Sequence, residues 1–327
     1  MKQENCLSEL SSLSKSQLWG LILAGGDGQR LQNFVKQIYG YNRPKQYCTF
    51  TGKKSLIKNT LERVLTILPP NRIMTIVNRN HYQFALEEIG NQPNETIIVQ
   101  PCNRDTSAGI LYPLLKIYRQ DSNSIVAIFP SDHFVYPNNN FMKHVSEAYN
   151  FVRSYPDSIL VLGATPDRIE TGFGWIEQGN CVWNNGFNCV HQVTKFWEKP
   201  NLELAKELWT KRCLWNTFVF VGSCESLISS LRNCVPEVYY SLEPIINYFG
   251  TKYEVEMINN IFLNMPAINF SRAVLQNIVQ HLYVMNIDDV YWNDWGEEKS
   301  IQYDVSKFSL RLKTPPRSKK KYYHVVS

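Results

Sequence analysis

The chain has 327 residues, of which 44% are hydrophobic and 19% charged, a composition typical of a globular protein with one large α/β domain. No apolar run approaches the length of a membrane span, and the polar first residues, with Glu4 and Glu9, do not resemble a signal peptide, so we expect a cytoplasmic protein without membrane contact. The net charge of +5 arises in residues 305–327, which hold seven Lys or Arg and no acid. We expect a solvated basic tail and no specific nucleic-acid partner.

The eight cysteines are scattered along the chain, and none forms a Cys-x-x-Cys pair. This spacing indicates neither a zinc site nor a redox pair. Because disulfides are rare in a reducing cytosol, we expect all eight side chains to be thiols.

Strand-like and helix-like segments alternate through the first half of the chain. The strand candidates are 18–24, 72–77, 96–99, 124–129 and 158–163, and the helix candidates lie near 55–67, 80–89, 106–119 and 140–153. This alternation predicts an open, mixed but mostly parallel sheet of the Rossmann-like type, with helices on both faces. Ligands bind beyond the carboxyl ends of the strands in such sheets, so the loops at 25–30, 100–106 and 130–133 should face one pocket.

A glycine-rich loop follows the first strand candidate. Gly25, Gly26 and Gly28 come within four positions, and such a turn exposes backbone N–H groups that bind anions, above all phosphates. Arg30 adds a guanidinium fork suited to phosphate oxygens. A simple strand-to-helix turn is the alternative. The loop is neither a P-loop, which ends in Gly-Lys-Ser/Thr, nor a dinucleotide fingerprint, whose third glycine would stand where Leu31 does.

Asp132 follows the strand candidate 124–129 in the sequence Ile-Phe-Pro-Ser-Asp-His. A carboxylate at the end of a central strand is suited to Mg²⁺, which prefers oxygen ligands and is commonly shared with phosphate oxygens. The alternative is a turn aspartate that caps the next segment.

Residues 23–31, Leu-Ala-Gly-Gly-Asp-Gly-Gln-Arg-Leu, resemble the signature of the sugar-1-phosphate nucleotidyltransferases, Leu-Ala/Ser-Gly-Gly-x-Gly-x-Arg-Leu, and most of all its mannose-1-phosphate guanylyltransferase branch. Further family-like motifs follow in order, at 43–50, 100–107, 128–133, 171–177, 195–200, 214–220 and 291–297. The resemblance implies a GT-A-like nucleotide-diphospho-sugar transferase fold over 18–303, with a nucleotide half at about 18–160 and a sugar-phosphate half at about 161–303. An N-terminal extension, 1–17, and the basic tail, 304–327, would flank this domain.

The resemblance also assigns roles to individual residues. The residues implied to bind the nucleotide are Ala24, Gly25, Gly26, Gly28, Arg30, Lys45, Arg104 and Ser131. Those implied to bind the sugar phosphate are Gly174, Glu198, Lys199 and Asn216. Asp132 and Asp294 are implied to hold Mg²⁺, and the catalytic group comprises Arg30, Lys45, Asp132 and Lys199.

The sequence departs from the family pattern at several positions. In the segment that borders the base, Asp105 replaces an asparagine, and Asp105 or Thr106 would equally serve as a helix N-cap. Thr217 and Phe218 replace Ser-Gly in the sugar motif. The spacer between residues 31 and 43 is longer than usual, which predicts a different lid-like loop. The identities of base and sugar therefore stay open.

The implied reaction is attack by a sugar-1-phosphate oxygen on the α-phosphorus of a nucleoside triphosphate, with pyrophosphate as leaving group. GTP and mannose-1-phosphate, giving GDP-mannose, are the expected small-molecule substrates, and a homodimer stays open. Alternatives are a thymidylyl- or uridylyltransferase acting on glucose-1-phosphate, and a catalytically silent regulator that binds nucleotide sugars. A glycosyltransferase of related fold would be expected to carry Asp-x-Asp where this chain has Ser131-Asp132-His133.

Overall fold

The computed structural model describes residues 17–313, so most of the predicted N-terminal extension and the tail from residue 314 lie outside the described residues. The strands are β1 Leu18–Ala24, β2 Ile73–Asn78, β3 Ile97–Gln100, β4 Ile125–Pro130, β5 Phe134–Tyr136, β6 Ile159–Ala164, β7 Gly174–Asn184, β8 Cys189–Glu198, β9 Leu214–Ser223, β10 Leu282–Asn286 and β11 Tyr291–Asn293. The α-helices are α1 Gln32–Tyr39, α2 Leu56–Val64, α3 Tyr82–Ile89, α4 Asp105–Gln120, α5 Asn138–Ser154, α6 Leu202–Thr210, α7 Cys224–Cys234, α8 Pro236–Leu242, α9 Glu254–Asn264 and α10 Glu298–Lys307.

Nine strands form one mixed sheet in the order β3-β2-β1-β4-β9-β6-β10-β8-β7, while β11 and β5 form a separate antiparallel pair. The first four strands of this order are parallel, as are β6 and β10. Strands β8 and β9 run against their neighbours. The predicted open, largely parallel sheet is confirmed, and so are its five predicted strands.

Helices cover both faces of the sheet because successive strand residues point to opposite sides. Leu21 of β1 packs into a buried cluster that includes residues of α4, α7, α8 and α9. The next residue, Ile22, packs into a second cluster with residues of α2, α3, α5 and α6. The prediction of helices on both faces is thereby confirmed.

A third apolar cluster joins α1 to α10 beside the sheet. Phe34 and Val35 of α1 pack there with Trp295 and with Ile301 of α10. Helix α1 occupies the stretch for which a lid-like loop was predicted, because its apolar residues recur at helical spacing and face this cluster. Helix α10 crosses the predicted domain boundary at 303, so the first residues assigned to the basic tail are part of a packed helix.

Strands β7 and β8 form a long antiparallel hairpin whose far end is cross-linked. Cys181 and Cys189 lie on the same face of the two strands and are joined by a disulfide. The expectation of thiols is therefore wrong for this pair. Pairing of the two strands brings Cys181 and Cys189 together, whereas their separation of 8 residues in the sequence did not indicate a disulfide. Within residues 17–313, no helix is long and apolar enough to cross a membrane.

Candidate functional site

A cleft of about 750 Å³ opens beyond the carboxyl ends of the parallel strands. The three loops predicted to face one pocket all contribute to its lining. The predicted site residues that line this cleft are Gly25, Gly26, Gly28, Arg30, Ser131, Asp132, Gly174, Glu198, Lys199, Asn216 and Asp294. Lys45 lines an adjoining cavity of about 420 Å³, which shares Arg30 and Asp132 with the main cleft.

The glycine loop is held in place by a glutamine from the motif that follows it. Gln46 is buried, and its Nε2 donates to the carbonyl of Ala24 at 2.9 Å and to that of Gly26 at 2.8 Å. Gly28 has φ +61°, which glycine adopts without the steric penalty of a side chain. The loop therefore has a defined conformation before any ligand binds.

Lys45 connects the two carboxylate segments. Its side chain is buried, and its Nζ lies 2.9 Å from Asp132 Oδ2 and also donates to the backbone carbonyl of Asp294. Asp132 follows β4 and Asp294 follows β11, so one ammonium group holds together two loops that are far apart in the chain.

Asp294 is turned towards the glycine loop. Its Oδ1 accepts a hydrogen bond from the backbone N–H of Gly296 at 2.7 Å. Its Oδ2 lies 3.9 Å from a guanidinium nitrogen of Arg30, whose side chain is largely exposed. The carboxylate thus has one oxygen fixed by its own loop and the other facing a cation.

The ammonium group of Lys45 keeps the side chain of Asp132 ionised. Burial raises the pKa of Asp132, but the charge of Lys45 and the hydrogen bonds to the carboxylate oppose that effect, and the pKa lies below its usual value. Burial lowers the pKa of His133, and its Nδ1 accepts a hydrogen bond from Trp292 Nε1 at 3.2 Å. We therefore infer a neutral His133 whose role is to pack beside the carboxylate.

The residues predicted to bind the sugar phosphate come together at the end of the β7–β8 hairpin that lies away from the disulfide. Gly174 pairs with Glu198 across the two strands, and a Cβ on Gly174 would lie 3.1 Å from both Glu198 Oε2 and Asn216 Cβ. Only glycine fits there without displacing one of these neighbours. Asn216 Oδ1 accepts from the backbone N–H of Phe218 at 2.9 Å, which fixes the orientation of the amide.

Lys199 is held through its backbone, not through its side chain. It has φ +52°, and its N–H donates to the carbonyl of Phe173 at 3.2 Å. Its Nζ lies 3.8 Å from Glu198 Oε1, and its side chain is 52% exposed. Burial raises the pKa of Glu198, although Lys199 and Arg272 partly oppose that effect.

Two predicted nucleotide-binding residues, Ala24 and Arg104, line neither the cleft nor the adjoining cavity. Arg104 reaches the carboxyl end of α9, where its Nε donates to the carbonyl of Phe262 and its guanidinium NH2 group to that of Leu263. Cationic side chains commonly bind the last carbonyls of a helix in this way. Ala24 contributes a carbonyl that Gln46 already binds. The structure therefore gives both residues structural contacts instead of a place in the cleft.

The model of the nucleotidyl transferase family matches residues 19–310. The chain belongs to this family. It is 25% identical over 292 residues to a mannose-1-phosphate guanylyltransferase of Salmonella typhimurium, with 88% of this chain and 58% of that protein covered. It is 27% identical over 294 residues to a mannose-1-phosphate guanylyltransferase of Escherichia coli, with 88% and 61% covered. The chain thus spans only about three fifths of the length of these curated relatives.

Solved structures of other proteins share this fold. A structure described as a mannose-1-phosphate geranyltransferase from Thermus thermophilus superposes with a TM-score of 0.72 at 23% identity, covering 86% of this chain and 76% of the other. At this identity the likeness supports the fold alone. The resemblance found in the sequence is confirmed at the level of family and fold.

Gln100 is a cleft residue that the sequence reading of this nucleotidyl transferase did not single out. It ends β3 beside Gly25, is 2% exposed, and its Oε1 has no hydrogen-bond partner among the described residues. A buried amide oxygen without a partner is costly, which indicates that a ligand or water supplies the partner. The available signal was its place, because Gln100 is the first residue of the 100–106 loop that was predicted to face the pocket.

The donor set at Asp132 and Asp294 fits a magnesium ion. Both groups offer carboxylate oxygens, the ligands that Mg²⁺ prefers, and both line the part of the cleft next to the glycine loop. Lys45 Nζ lies 2.9 Å from Asp132 Oδ2, and a guanidinium nitrogen of Arg30 lies 3.9 Å from Asp294 Oδ2. A bound ion would take its remaining ligands from phosphate oxygens of a nucleotide.

Proposed function

We propose that this chain condenses a nucleoside triphosphate with a sugar-1-phosphate to give a nucleotide sugar and pyrophosphate, with GTP and mannose-1-phosphate as the preferred pair. The proposal is carried by one observation: a single cleft holds an anion-binding glycine loop, two carboxylates and a polar sugar-side cluster. The names of the curated relatives support the choice of guanosine and mannose. Those relatives are longer than this chain, so their names support the proposal without establishing it.

The reaction requires positioning of the substrates more than a protein nucleophile. A phosphate monoester has its second pKa near about 6, so the sugar phosphate is itself a competent dianionic nucleophile at neutral pH. In this proposal the N–H groups of the glycine loop and Arg30 bind the triphosphate. Lys199 binds the sugar phosphate, while Glu198 and Asn216 bind sugar hydroxyls. Fixed geometry and fixed charge then lower the barrier to in-line transfer.

Asp132 and Asp294 would hold Mg²⁺ in this scheme. When bound, the ion would neutralise charge at the α-phosphate and at the incoming phosphate. Lys45 keeps both loops in place by its two contacts, so that the carboxylates meet the nucleotide without rearranging.

Gln100 is the cleft residue that we expect to contact the base. Its amide offers one donor and one acceptor, which complement the carbonyl and N3–H of uracil or thymine and equally the O6 and N1–H of guanine. A uridylyl- or thymidylyltransferase is therefore the alternative, and a panel of nucleotides decides between the bases.

The test is pyrophosphate release with Mg²⁺, measured for GTP, UTP, dTTP, ATP and CTP against mannose-, glucose- and galactose-1-phosphate. The strongest rate with GTP and mannose-1-phosphate would support the preferred pair. A strongest rate with UTP or dTTP would retain the reaction and identify the chain as a uridylyl- or thymidylyltransferase. Nucleotide binding without any release would contradict the proposal and favour the silent regulator.

A further inference from the structure

A buried carboxylate on the last described helix has no role in the scheme above. Asp304 lies on α10 and is 0% exposed. Its Oδ1 accepts a hydrogen bond from the hydroxyl of Tyr291 at 2.6 Å. Its Oδ2 accepts from Asn293 Nδ2 at 3.0 Å and from Trp295 Nε1 at 2.7 Å. All three contacts are donors, so this site specifically requires an acceptor.

The three donors alternate along one short segment of chain. Residues 291, 293 and 295 face the buried carboxylate, while Trp292 and Asp294, which lie between them, line the cleft. From Tyr291 to Asn293 this alternation is the ordinary consequence of extended backbone, in which successive side chains point to opposite sides. Asp304 therefore binds the side of residues 291–295 that faces away from the cleft. Asp294, a predicted metal ligand, lies on the side that faces the cleft.

The turn after this segment is held by the same network. Trp295 has φ +49°, a conformation that a bulky side chain rarely adopts, and its ring stacks on Phe134 with centroids 4.7 Å apart. Its backbone N–H donates to Asn293 Oδ1 at 3.4 Å. The left-handed turn brings the N–H of Gly296 to within 2.7 Å of Asp294 Oδ1. The orientation of the Asp294 carboxylate thus depends on a turn that the buried network holds.

We propose that Asp304 is a positioning residue for nucleotidyl transfer, which it supports by fixing the Asp294 segment; the inference rests on the proposed function. The effect extends beyond one carboxylate, because Lys45 donates to the backbone carbonyl of Asp294 and pairs with Asp132. A shift of the segment would therefore disturb both carboxylates and the lysine between them. The first assigned residue of the predicted basic tail becomes part of the support of the active site.

The first variant is Asp304→Asn, which retains the volume but turns an amide NH2 group towards donors. Its matched control is Glu297→Gln, which makes the same chemical change at an exposed position of the same segment. Binding of Mn²⁺, used as a spectroscopic probe, is measured by electron paramagnetic resonance for the protein alone and with GTP or UTP. Pyrophosphate release is resolved into kcat and the KM for the sugar phosphate.

We expect Asp304→Asn to weaken Mn²⁺ binding and to lower kcat, each by about 10- to 100-fold, the usual effect of removing a partner that orients a metal ligand. The KM for the sugar phosphate should stay within about two-fold of wild type, because the described hydrogen bonds of the Asp304 carboxylate go to Tyr291, Asn293 and Trp295 and to none of the proposed sugar-phosphate residues. The control should match wild type. Equal Mn²⁺ affinity and kcat in Asp304→Asn and the control would overturn the proposal.

A milder pair covers the case in which Asp304→Asn does not fold. Tyr291→Phe removes one donor and retains the ring, and Tyr303→Phe makes the same change at a side chain that is 50% exposed on α10. We expect the Mn²⁺ affinity to fall about 3-fold for Tyr291→Phe, the scale of one hydrogen bond, and to be unchanged for Tyr303→Phe. No difference between them would overturn the proposal. If wild type releases no pyrophosphate, the proposed function fails, while the Mn²⁺ comparison still tests the support of Asp294.

Discussion

The two sides of the cleft that we propose to bind the nucleotide phosphates and the sugar phosphate, called here the phosphate side and the sugar side, differ in how firmly their charged groups are held. On the phosphate side, Lys45 is 5% exposed and bound to two loops, and Gln46 binds two carbonyls of the glycine loop. On the sugar side, the side chain of Lys199 is 52% exposed, and its ammonium lies 3.8 Å from Glu198. The protein itself fixes the charged groups of the phosphate side, whereas we propose that Lys199 becomes ordered only when the sugar phosphate binds.

This difference predicts whether a substitution on each side changes kcat or KM. Charges that are fixed before the reaction require no reorganisation in the transition state, so substitutions on the phosphate side should lower kcat. An exposed cation that orders when substrate binds contributes to ground and transition states alike, so its removal should raise KM. The experiments below test that division.

The largest effect is expected for Asp132→Ala. Loss of this carboxylate removes a proposed metal ligand and leaves the buried Lys45 ammonium without its carboxylate partner. We expect kcat to fall by about 10²- to 10³-fold, as for other preorganised electrostatic groups. Pyrophosphate release is the measurement, with Asp288→Asn, at an exposed turn, as the control. A near-normal rate in Asp132→Ala would remove this residue from the scheme.

Gly25→Ala tests whether the packing of the glycine loop controls nucleotide binding. The added Cβ would lie 2.6 Å from Gln100 Nε2, which is closer than any normal contact. We expect the nucleotide Kd, measured by calorimetry, to rise about 10-fold through displacement of the loop or of Gln100. The double variant with Gln100→Ala separates two causes. Recovery to the affinity of Gln100→Ala alone would identify the collision with Gln100, and weaker binding than in that single variant would show that the new methyl group blocks the ligand.

Lys199→Ala should act on the sugar phosphate alone. We expect its KM to rise about 10-fold while kcat changes less, because an exposed cation contributes uniform binding. Lys195→Ala is the matched control, since Lys195 is exposed on the same hairpin. A loss confined to kcat would mean that the sugar side is as preorganised as the phosphate side, and the comparison above would be wrong.

The smallest effect concerns pH. Burial raises the pKa of Glu198, so its carboxylate is lost at a higher pH than that of an ordinary glutamate as the solution is acidified. A protonated Glu198 accepts hydrogen bonds from sugar hydroxyls less well, so affinity for the sugar phosphate should fall as pH decreases through this raised pKa. Glu198→Gln should bind more weakly and lack this part of the pH dependence. Parallel pH profiles for both proteins would exclude the carboxylate as the cause.

The strands of the first half could be predicted because each is a short apolar run bounded by turn residues. The positions of the glycine loop and of Asp132 could be predicted because they come just after the ends of two of these strands, β1 and β4. Arg104 shows the limit of that reasoning. Its position in the chain is in a cleft loop, yet the carbonyls that bind it belong to α9 and are brought near only by the tertiary fold. Composition misplaced the tail boundary for a similar reason. The charges of the last residues are visible in the sequence, whereas the burial of Asp304 against distant aromatic residues is not.

Strand β9 lies between β4 and β6, although β6, β7, β8 and α6 all precede it in the chain. As the polypeptide leaves the ribosome, β4 and β6 therefore emerge before β9, the strand that lies between them in the sheet. Until Leu214–Ser223 is available, β4 and β6 each present an unpaired edge, the kind of surface on which chains associate with one another. A shortened chain that ends before β9 is accordingly expected to aggregate. For the same reason, the predicted nucleotide half, about 18–160, is not expected to be stable as a separate protein.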